Sequence, residues 1–579
     1  MIITRNKKIN NFNNKSLKKI DWNKMISASS VRNFILNDTL VDWLKIYNIN
    51  CINDKPNKLK PNYNNKIYNR STTNFQFIQG NLFEEEVMKK IKKKFQVITI
   101  GESTDSRLEN KYLDTIEAMK NGYEIIYQGV LHDYELYLYG CPDLLVRSDR
   151  INEIFNYNVY SDDEIKVPSK LNNNFHYVVV DIKCSTLKFA SNGINLLNNG
   201  SSPAFKGQLN IYNRILNNIQ GFELPYAFIL GKRWSQTSTN MSGDNYMNIL
   251  ATIDYNNYDS KYNQIVDDAI DWLNLVKTRG HEWSLLPKPS INELYPNMKI
   301  KDNGYKLKKE LDNNINEITS VWMCSFKKRQ IAHSKKIYSW KNKKCNAKNL
   351  EFKKGTKQYK CLNEILKINR QNNNIMRLSD IKKNKKQLYF NKNTMEFYLD
   401  FETINGHCNI DDNNEYIYMI GVYHYDTYKC FYLEELDKEK EMFDNFWSYI
   451  DNICGNKKPM FIHWTNAEVS MYKRFCKRHN YNRELNTYDL HKVFLDNIIV
   501  INGALNFSLK TIVNALYEKK QIQSNWDDSL YSNGLDSMYG AINYYKNKDD
   551  NIMKEIIKYN KIDCKVLYEI LQLLRNKCK

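Results

Sequence analysis

The sequence has no apolar run near the ~18 residues that a membrane-spanning helix requires, which excludes a helical integral membrane protein. Its first residues, MIITRNKKINNFNN, are basic but contain no apolar core, which argues against a secretory leader. None of the 12 cysteines forms a Cys-x-x-Cys pair, so neither a zinc ribbon nor a disulfide framework is indicated. The nine histidines do not group at metal-ligand spacing, and His463, the one nearest to other polar chemistry, reads as a packed strand-end residue. There is no Walker-A motif, hence no P-loop motor, and no internal repeat of roughly 20–50 residues. Together these absences predict a soluble intracellular protein of the cytoplasm or nucleus, with no membrane partner.

What is present is a long chain of 579 residues, enough for roughly three or four domains. Hydrophobic residues make up 42% and aromatics 13%, which excludes a wholly disordered or fibrous chain. Lys and Arg number 85 against 65 Asp and Glu, a net charge of +20 that suits a polyanionic partner. Lys outnumbers Arg about four to one, and Asn, Ile and Tyr are also abundant. All have AT-rich codons, so part of the charge points to an AT-rich genome rather than to a ligand. Charge opens the question of nucleic acid and does not close it.

Four regions are expected. Residues 1–74 are Lys/Asn-rich and partly helical, with one apolar patch near Val31–Ile46. Residues 75–290 alternate helix and strand signals, 291–393 read as a basic, partly helical connector, and 394–579 form a second ordered block. In the first block Phe83, Val87 and Ile91 share one helical face, in a helix opened by Gly80-Asn81-Leu82-Phe83-Glu84. Tyr134–Tyr139, Asp143–Val146, His176–Val180 and Tyr226–Leu230 read as strands. Asn172–Asn174 and Asn198–Ser202 read as loops, and Tyr262–Val276 as an amphipathic helix.

Chemistry first gathers around Val178-Val179-Val180-Asp181-Ile182-Lys183. A buried strand delivers a carboxylate and an ammonium two residues apart, so on one side. The same tripeptide in Asp380-Ile381-Lys382 lies in a Lys-rich stretch read as a solvated loop. Asp181 has company that Asp380 lacks: Glu84 on a helix, Asp143 in Gly140-Cys141-Pro142-Asp143, and Gln208 with Tyr212 at i,i+4 on one helix face. Hard oxygen ligands with a nearby lysine suit metal-assisted phosphodiester hydrolysis.

The second set begins at Met395-Glu396-Phe397-Tyr398-Leu399-Asp400-Phe401-Glu402-Thr403, a strand with two acids at i,i+2 facing one way. Phe397–Leu399, Tyr416–Tyr425 and Cys430–Leu433 read as three successive strands. Tyr559 and Asp563 lie one turn apart on a C-terminal amphipathic helix. Acids from a strand and a distant helix can converge on two cations about 3.5–4 Å apart, the clamp for in-line phosphoryl displacement.

The ordered motifs of residues 75–290 resemble the RecB-like branch of PD-(D/E)XK nucleases. Residues 394–575 resemble the ribonuclease H-like DnaQ-type 3′–5′ exonucleases, most closely the YprB-type group. The resemblance implies an α/β multidomain protein: a restriction-endonuclease-like mixed sheet with flanking helices, plus a ribonuclease H-like α/β domain. It implies Glu84, Asp143 and Asp181 as ligands of Mg²⁺ or Mn²⁺, Lys183 as the catalytic lysine, and Gln208 and Tyr212 on nucleic acid. In the second block it implies Asp400, Glu402 and Asp563 as metal ligands with Tyr559 orienting the attacking water. The middle exonuclease motif departs from pattern, leaving Glu468 and Asp489 as rival ligands. Some RecB-like relatives carry an iron–sulfur cluster, which the cysteine spacing here does not support.

The implied activity is a metal-dependent nuclease with two candidate sites, acting on single-stranded or free-ended DNA, or else on RNA. Its setting would be replication, repair or recombination, with a helicase as a separate partner. The alternatives are that only the PD-(D/E)XK site is active, with the ribonuclease H-like domain as a binding module, or that the whole chain is a non-catalytic nucleic-acid-binding scaffold.

Overall fold

The computed structural model describes residues 20–56, 71–171, 174–301, 304–371, 374–404, 415–531 and 533–579. The basic start and most of the expected Asn172–Asn174 loop lie outside the described residues. The chain divides into two compact units. The first draws on Met1–Tyr47, Pro56–Tyr63 and Phe83–Glu282, the second on Asn48–Lys55, Asn64–Leu82 and Trp283–Lys579. Among the described residues no helix is long and apolar enough to cross a membrane.

The first unit is built on a mixed sheet. Helix α1 (Ser71–Ile91) enters this unit at Phe83 and presents Phe83, Val87 and Ile91, all buried, as the i,i+4 spacing requires. The helix begins at Ser71, so Gly80 lies inside it rather than at its opening. Strands β1 (Val97–Thr99), β2 (Ile125–Tyr127), β3 (Leu144–Arg147) and β4 (Tyr177–Phe189) follow. Helix α2 (Ser202–Gln220), strands β5 (Tyr226–Gln236) and β6 (Ala251–Asp254), and helix α3 (Lys261–Arg279) complete the unit. The sheet order is β6-β5-β4-β3-β2-β1, with Met241–Gly243 added on β5. Val178, Val179, Val180, Phe228, Ile229 and Leu230 are fully buried, as expected of central strands covered on both faces. The antiparallel pairing of Val180 with Leu144 sets Asp181 beside Asp143, the residue before β3.

Tyr134–Tyr139 is not one strand. Leu131–Asp133 and Leu138–Gly140 form a hairpin whose turn is fixed by Asp133 Oδ1, which accepts from the backbone N–H of Glu135 and Leu136. The apolar patch at Val31–Ile46 becomes two short helices, Arg32–Ile35 and Leu40–Ile46. Trp43 anchors the second by donating from Nε1 to Gly280 O at 2.8 Å.

In the second unit, β7 (Thr394–Ile404), β8 (Tyr416–His424) and β9 (Thr427–Tyr432) form an antiparallel meander. Helix α4 (Glu439–Cys454), strand β10 (Lys458–His463), helix α5 (Ala467–His479) and strand β11 (Thr487–Asp489) extend it. Helices α6 (Leu509–Glu518), α7 (Gly534–Asn547) and α8 (Asp550–Lys577) follow. The sheet order is β9-β8-β7-β10-β11, antiparallel on one side of β7 and parallel on the other. Alternation along β7 divides two cores. Phe397, Leu399 and Phe401 join the cluster with Phe443 and Phe446 of α4, while Tyr398 joins Tyr559 and Leu567 of α8. Asp400 and Glu402, in phase with Tyr398, are thereby directed to the α8 side.

The 291–393 segment, expected as a basic connector, is packed. Cys361, Leu362, Ile365 and Leu366 recur at helical spacing in Lys357–Arg370 and share a core cluster with Ile462, Phe494 and Leu571. Arg329 is buried, donating to the carbonyls of Tyr295 and Pro296 at 2.8 Å each and pairing with buried Glu317 at 3.4 Å. Asp380-Ile381-Lys382 is not a solvated loop but part of a short helix, Ser379–Lys383, with Ile381 fully buried.

Candidate active sites

In the first unit the residues of the Asp181 set come together. Lys183 Nζ lies 2.5 Å from Asp181 Oδ2 and 4.0 Å from Asp143 Oδ2. Asp143 Oδ2 also accepts from the backbone N–H of Ile182 at 2.6 Å. Glu84 reaches the cluster from α1, its Oε1 accepting from Gln128 Nε2 at 2.5 Å. On α2, Gln208 Nε2 donates to Tyr212 Oη at 2.9 Å, and Tyr212 Oη donates to Cys141 O at 3.2 Å. Gly140 makes room for that ring: a Cβ there would stand 2.4 Å from Tyr212 Cε1.

Burial, then the neighbouring Asp181 carboxylate, pushes Asp143 well above the usual carboxylate range. Burial also raises Glu84, against the hydrogen bonds it accepts from Gln128 and Tyr127. Lys183 is held protonated: burial opposes its charge, but the carboxylates of Asp181 and Asp143 outweigh it. Gln128, part of the stretch Tyr127-Gln128-Gly129 that precedes the Asp143 strand, had no site role in the sequence reading. It sits in the left-handed region at φ 54°, and its Oε1 also accepts from Cys141 Sγ at 3.3 Å.

In the second unit Asp400, Glu402 and Asp563 each offer an oxygen within 4.8 Å of the others. Among the described residues this is the acidic, histidine or cysteine group that closes to such spacing; Glu84, Asp143 and Asp181 do not. Glu402 is buried and accepts from Ser537 Oγ at 2.9 Å; Asp400 Oδ2 accepts from Asn560 Nδ2 at 2.8 Å. Tyr428 Oη fixes that amide by donating to Asn560 Oδ1 at 2.9 Å. Burial, followed by repulsion from Asp563, raises Glu402 to about 8. Burial raises Asp563 to about 7, with Lys510 opposing. Asp400 is raised well above its ordinary value by burial and then by Asp563, Glu402 and Glu468.

The two rivals for the middle motif differ. Glu468, buried in the first turn of α5, is close enough to act on both Asp400 and Asp563. Its Oε2 lies 3.4 Å from His463 Nδ1 and takes part in no hydrogen bond. Asp489 Oδ1 instead accepts the backbone N–H of Lys492, capping the helix after β11, and that of Thr465. Tyr559 lies beside Asp563, and its phenol is raised by burial and by that carboxylate.

Lys510, Ser537 and Asn560 are the polar residues of this site that sequence reasoning missed. Lys510, from α6, lies 4.9 Å from the Tyr559 ring centroid, and burial lowers its pKa despite the nearby acids. The donor set is one of hard oxygens, two buried and that of Asp400 half-buried, mutually repelling, with an orphaned Glu468 oxygen at its edge. That is the environment a divalent cation such as Mg²⁺ or Mn²⁺ fits.

Comparison with known proteins agrees with this region. The RNase_H_2 family model, described as RNase_H superfamily, matches residues 397–575. That segment is a ribonuclease H-like superfamily domain, and it contains all three acids of the cluster. No curated protein and no solved structure matches the chain.

Proposed function

We propose that this protein is a divalent-metal-dependent nuclease that hydrolyses phosphodiester bonds, with DNA as its substrate. The observation that carries the reading is the convergence of Asp400, Glu402 and Asp563 within the ribonuclease H-like segment. A bound divalent cation there supplies polarisation of the phosphoryl oxygen and a more acidic water. Asp400, Glu402 and Asp563 hold it, with Glu468 as the further ligand, since Asp489 is committed to backbone N–H groups. Asn560 and Ser537 fix the carboxylate orientations, and Tyr559 positions the attacking water. Lys510 offsets negative charge that builds on the phosphate.

For the first unit, the reading is a PD-(D/E)XK-type site of the RecB-like kind. Glu84, Asp143 and Asp181 serve as metal ligands, Lys183 as the catalytic lysine, and Gln208 and Tyr212 as contacts to the strand. The clustering of all six in one place supports it. The acids there stand wider apart than in the second site, which favours a second reading in which only one of the two sites cleaves. The test is cleavage of labelled single- and double-stranded DNA and RNA with Mn²⁺ or EDTA, using Asp181→Ala and Asp400→Ala singly and together. Unchanged cleavage in the double variant overturns the proposal.

A further inference from the structure

We infer that the first unit carries a phosphate-binding pocket next to its acidic cluster, one that grips a substrate phosphodiester without any metal. The inference rests on the nucleic-acid reading above and adds a subsite to it. A cavity of about 280 Å³ opens between the Met25–Arg32 segment, the helix Leu40–Ile46 and α3. Four cations line it, Arg32, Lys45, Arg107 and Lys277, against one acid, Asp42. That acid is turned to the interior, accepting from Asn33 Nδ2 at 2.7 Å and from Trp272 Nε1 at 3.0 Å. Burial raises it to about 7, so at neutral pH it carries only about half a negative charge against the four cations. The hydroxyl-bearing residues Ser27, Ser29 and Ser30 form the same wall.

Two of the cations, Lys277 and Arg107, are held in place. Lys277 Nζ donates to Met25 O at 3.0 Å, and Arg107 Nε donates to Tyr139 Oη at 3.1 Å. The Arg107 guanidinium sits 5.9 Å from the Trp22 ring and 5.7 Å from that of Tyr139. Burial first, and then the neighbouring Arg107, pull Lys277 down to about 8, with the Asp21 carboxylate opposing. An anion between the two cations reverses that penalty. Guanidinium forks, an ammonium and hydroxyls are the donors a tetrahedral phosphate accepts from.

Position argues for a phosphate within a strand. Tyr139 lines the pocket, and the chain runs on through Gly140-Cys141-Pro142 to Asp143. Four residues of backbone span at most about 13 Å. At ~3.4 Å per nucleotide, a strand anchored in the pocket reaches the acids within a few nucleotides.

The experiment is a titration of a short labelled single-stranded DNA in EDTA, at several salt concentrations, on the full chain. Arg32→Gln/Arg107→Gln is compared with wild type, with Arg32→Lys/Arg107→Lys, and with Arg279→Gln on the exposed end of α3. The double glutamine variant is expected to bind about tenfold more weakly at physiological salt, with the slope of log K against log salt reduced by about 1.4. The lysine pair and Arg279→Gln keep the wild-type slope. Wild-type slope and affinity in the double glutamine variant overturn the inference. So does an outcome in which inorganic phosphate raises the wild-type Tm, and not the variant's, while DNA affinity is equal: the pocket then takes a free anion. Because no metal is present, absent cleavage in a parallel Mn²⁺ assay counts against the nuclease reading and leaves the pocket standing.

Discussion

Replacing Asp563 by asparagine should make the metal-free protein more stable and the second site inactive. Asp563 shares its small buried space with Asp400 and Glu402, and all three carboxyls are raised above their ordinary values. Glu402 moves from 4.5 to about 8 and Asp563 from 3.8 to about 7, with burial the largest cause in each. A folded-state pKa above the unfolded one means that the folded protein holds the extra proton. Stability is therefore full below about pH 4 and is lost as pH rises toward about 8, at ~1.4 kcal/mol per pH unit and group. For either carboxyl alone the loss is on the order of 4 kcal/mol. The three share their repulsion, and Asp563→Asn also takes a partner from Lys510, so roughly 1–3 kcal/mol should be regained at pH 8. The assay is urea unfolding in EDTA at pH 5 and pH 8, repeated with Mn²⁺. Wild type should lose stability between the two pH values and recover it with Mn²⁺, by about 2.7 kcal/mol at a hundredfold excess over Kd. Asp563→Asn should show a smaller pH loss and a smaller Mn²⁺ gain. A variant less stable than wild type at pH 8 in EDTA refutes the reasoning.

Gly421 lies opposite Asp400 on β8, and a Cβ there would stand 1.6 Å from Asn560 Oδ1. Gly421→Ala should displace Asn560 from Asp400 and lower kcat of the second site by roughly 10–100-fold, measured beside Asn560→Ala, which should match it. Asp42, raised from 3.8 to about 7 by burial, destabilises the first unit as pH rises through about 7. Asp42→Asn should flatten that unit's stability between pH 4 and 8 by on the order of 4 kcal/mol, read by calorimetry in EDTA. Arg329→Met strands the buried Glu317 carboxylate and should cost the second unit about 3–5 kcal/mol in urea unfolding, whereas Lys335→Met at the surface should cost under about 1 kcal/mol.

Where a residue's placement follows a local period, the sequence was readable. Alternation at Asp400 and Glu402, and the helical spacing of Tyr559 and Asp563, carry over directly into the cluster because each depends on one element. Lys510 and Ser537 were not readable, since each reaches its site through the packing of elements distant in the chain. The hairpin at Tyr134–Tyr139 was misread because its residues have strand character. The side chain of Asp133, taking two backbone N–H groups, decides the turn. At 291–393 the abundance of lysine concealed an apolar stripe at Cys361, Leu362, Ile365 and Leu366. Composition describes the solvent face of such a helix, and only periodicity reveals the buried one.

Metal-dependent phosphodiester hydrolysis by the carboxylate clusters of this chain is the proposed activity. Its most direct test is cleavage of end-labelled single-stranded DNA by the full chain with Mn²⁺, in wild type, Asp400→Ala, Asp181→Ala and the double variant. EDTA should abolish cleavage, Asp400→Ala should lose 3′-end shortening, and the double variant should have no residual activity. Full cleavage by the double variant, or cleavage indifferent to EDTA, contradicts the proposal.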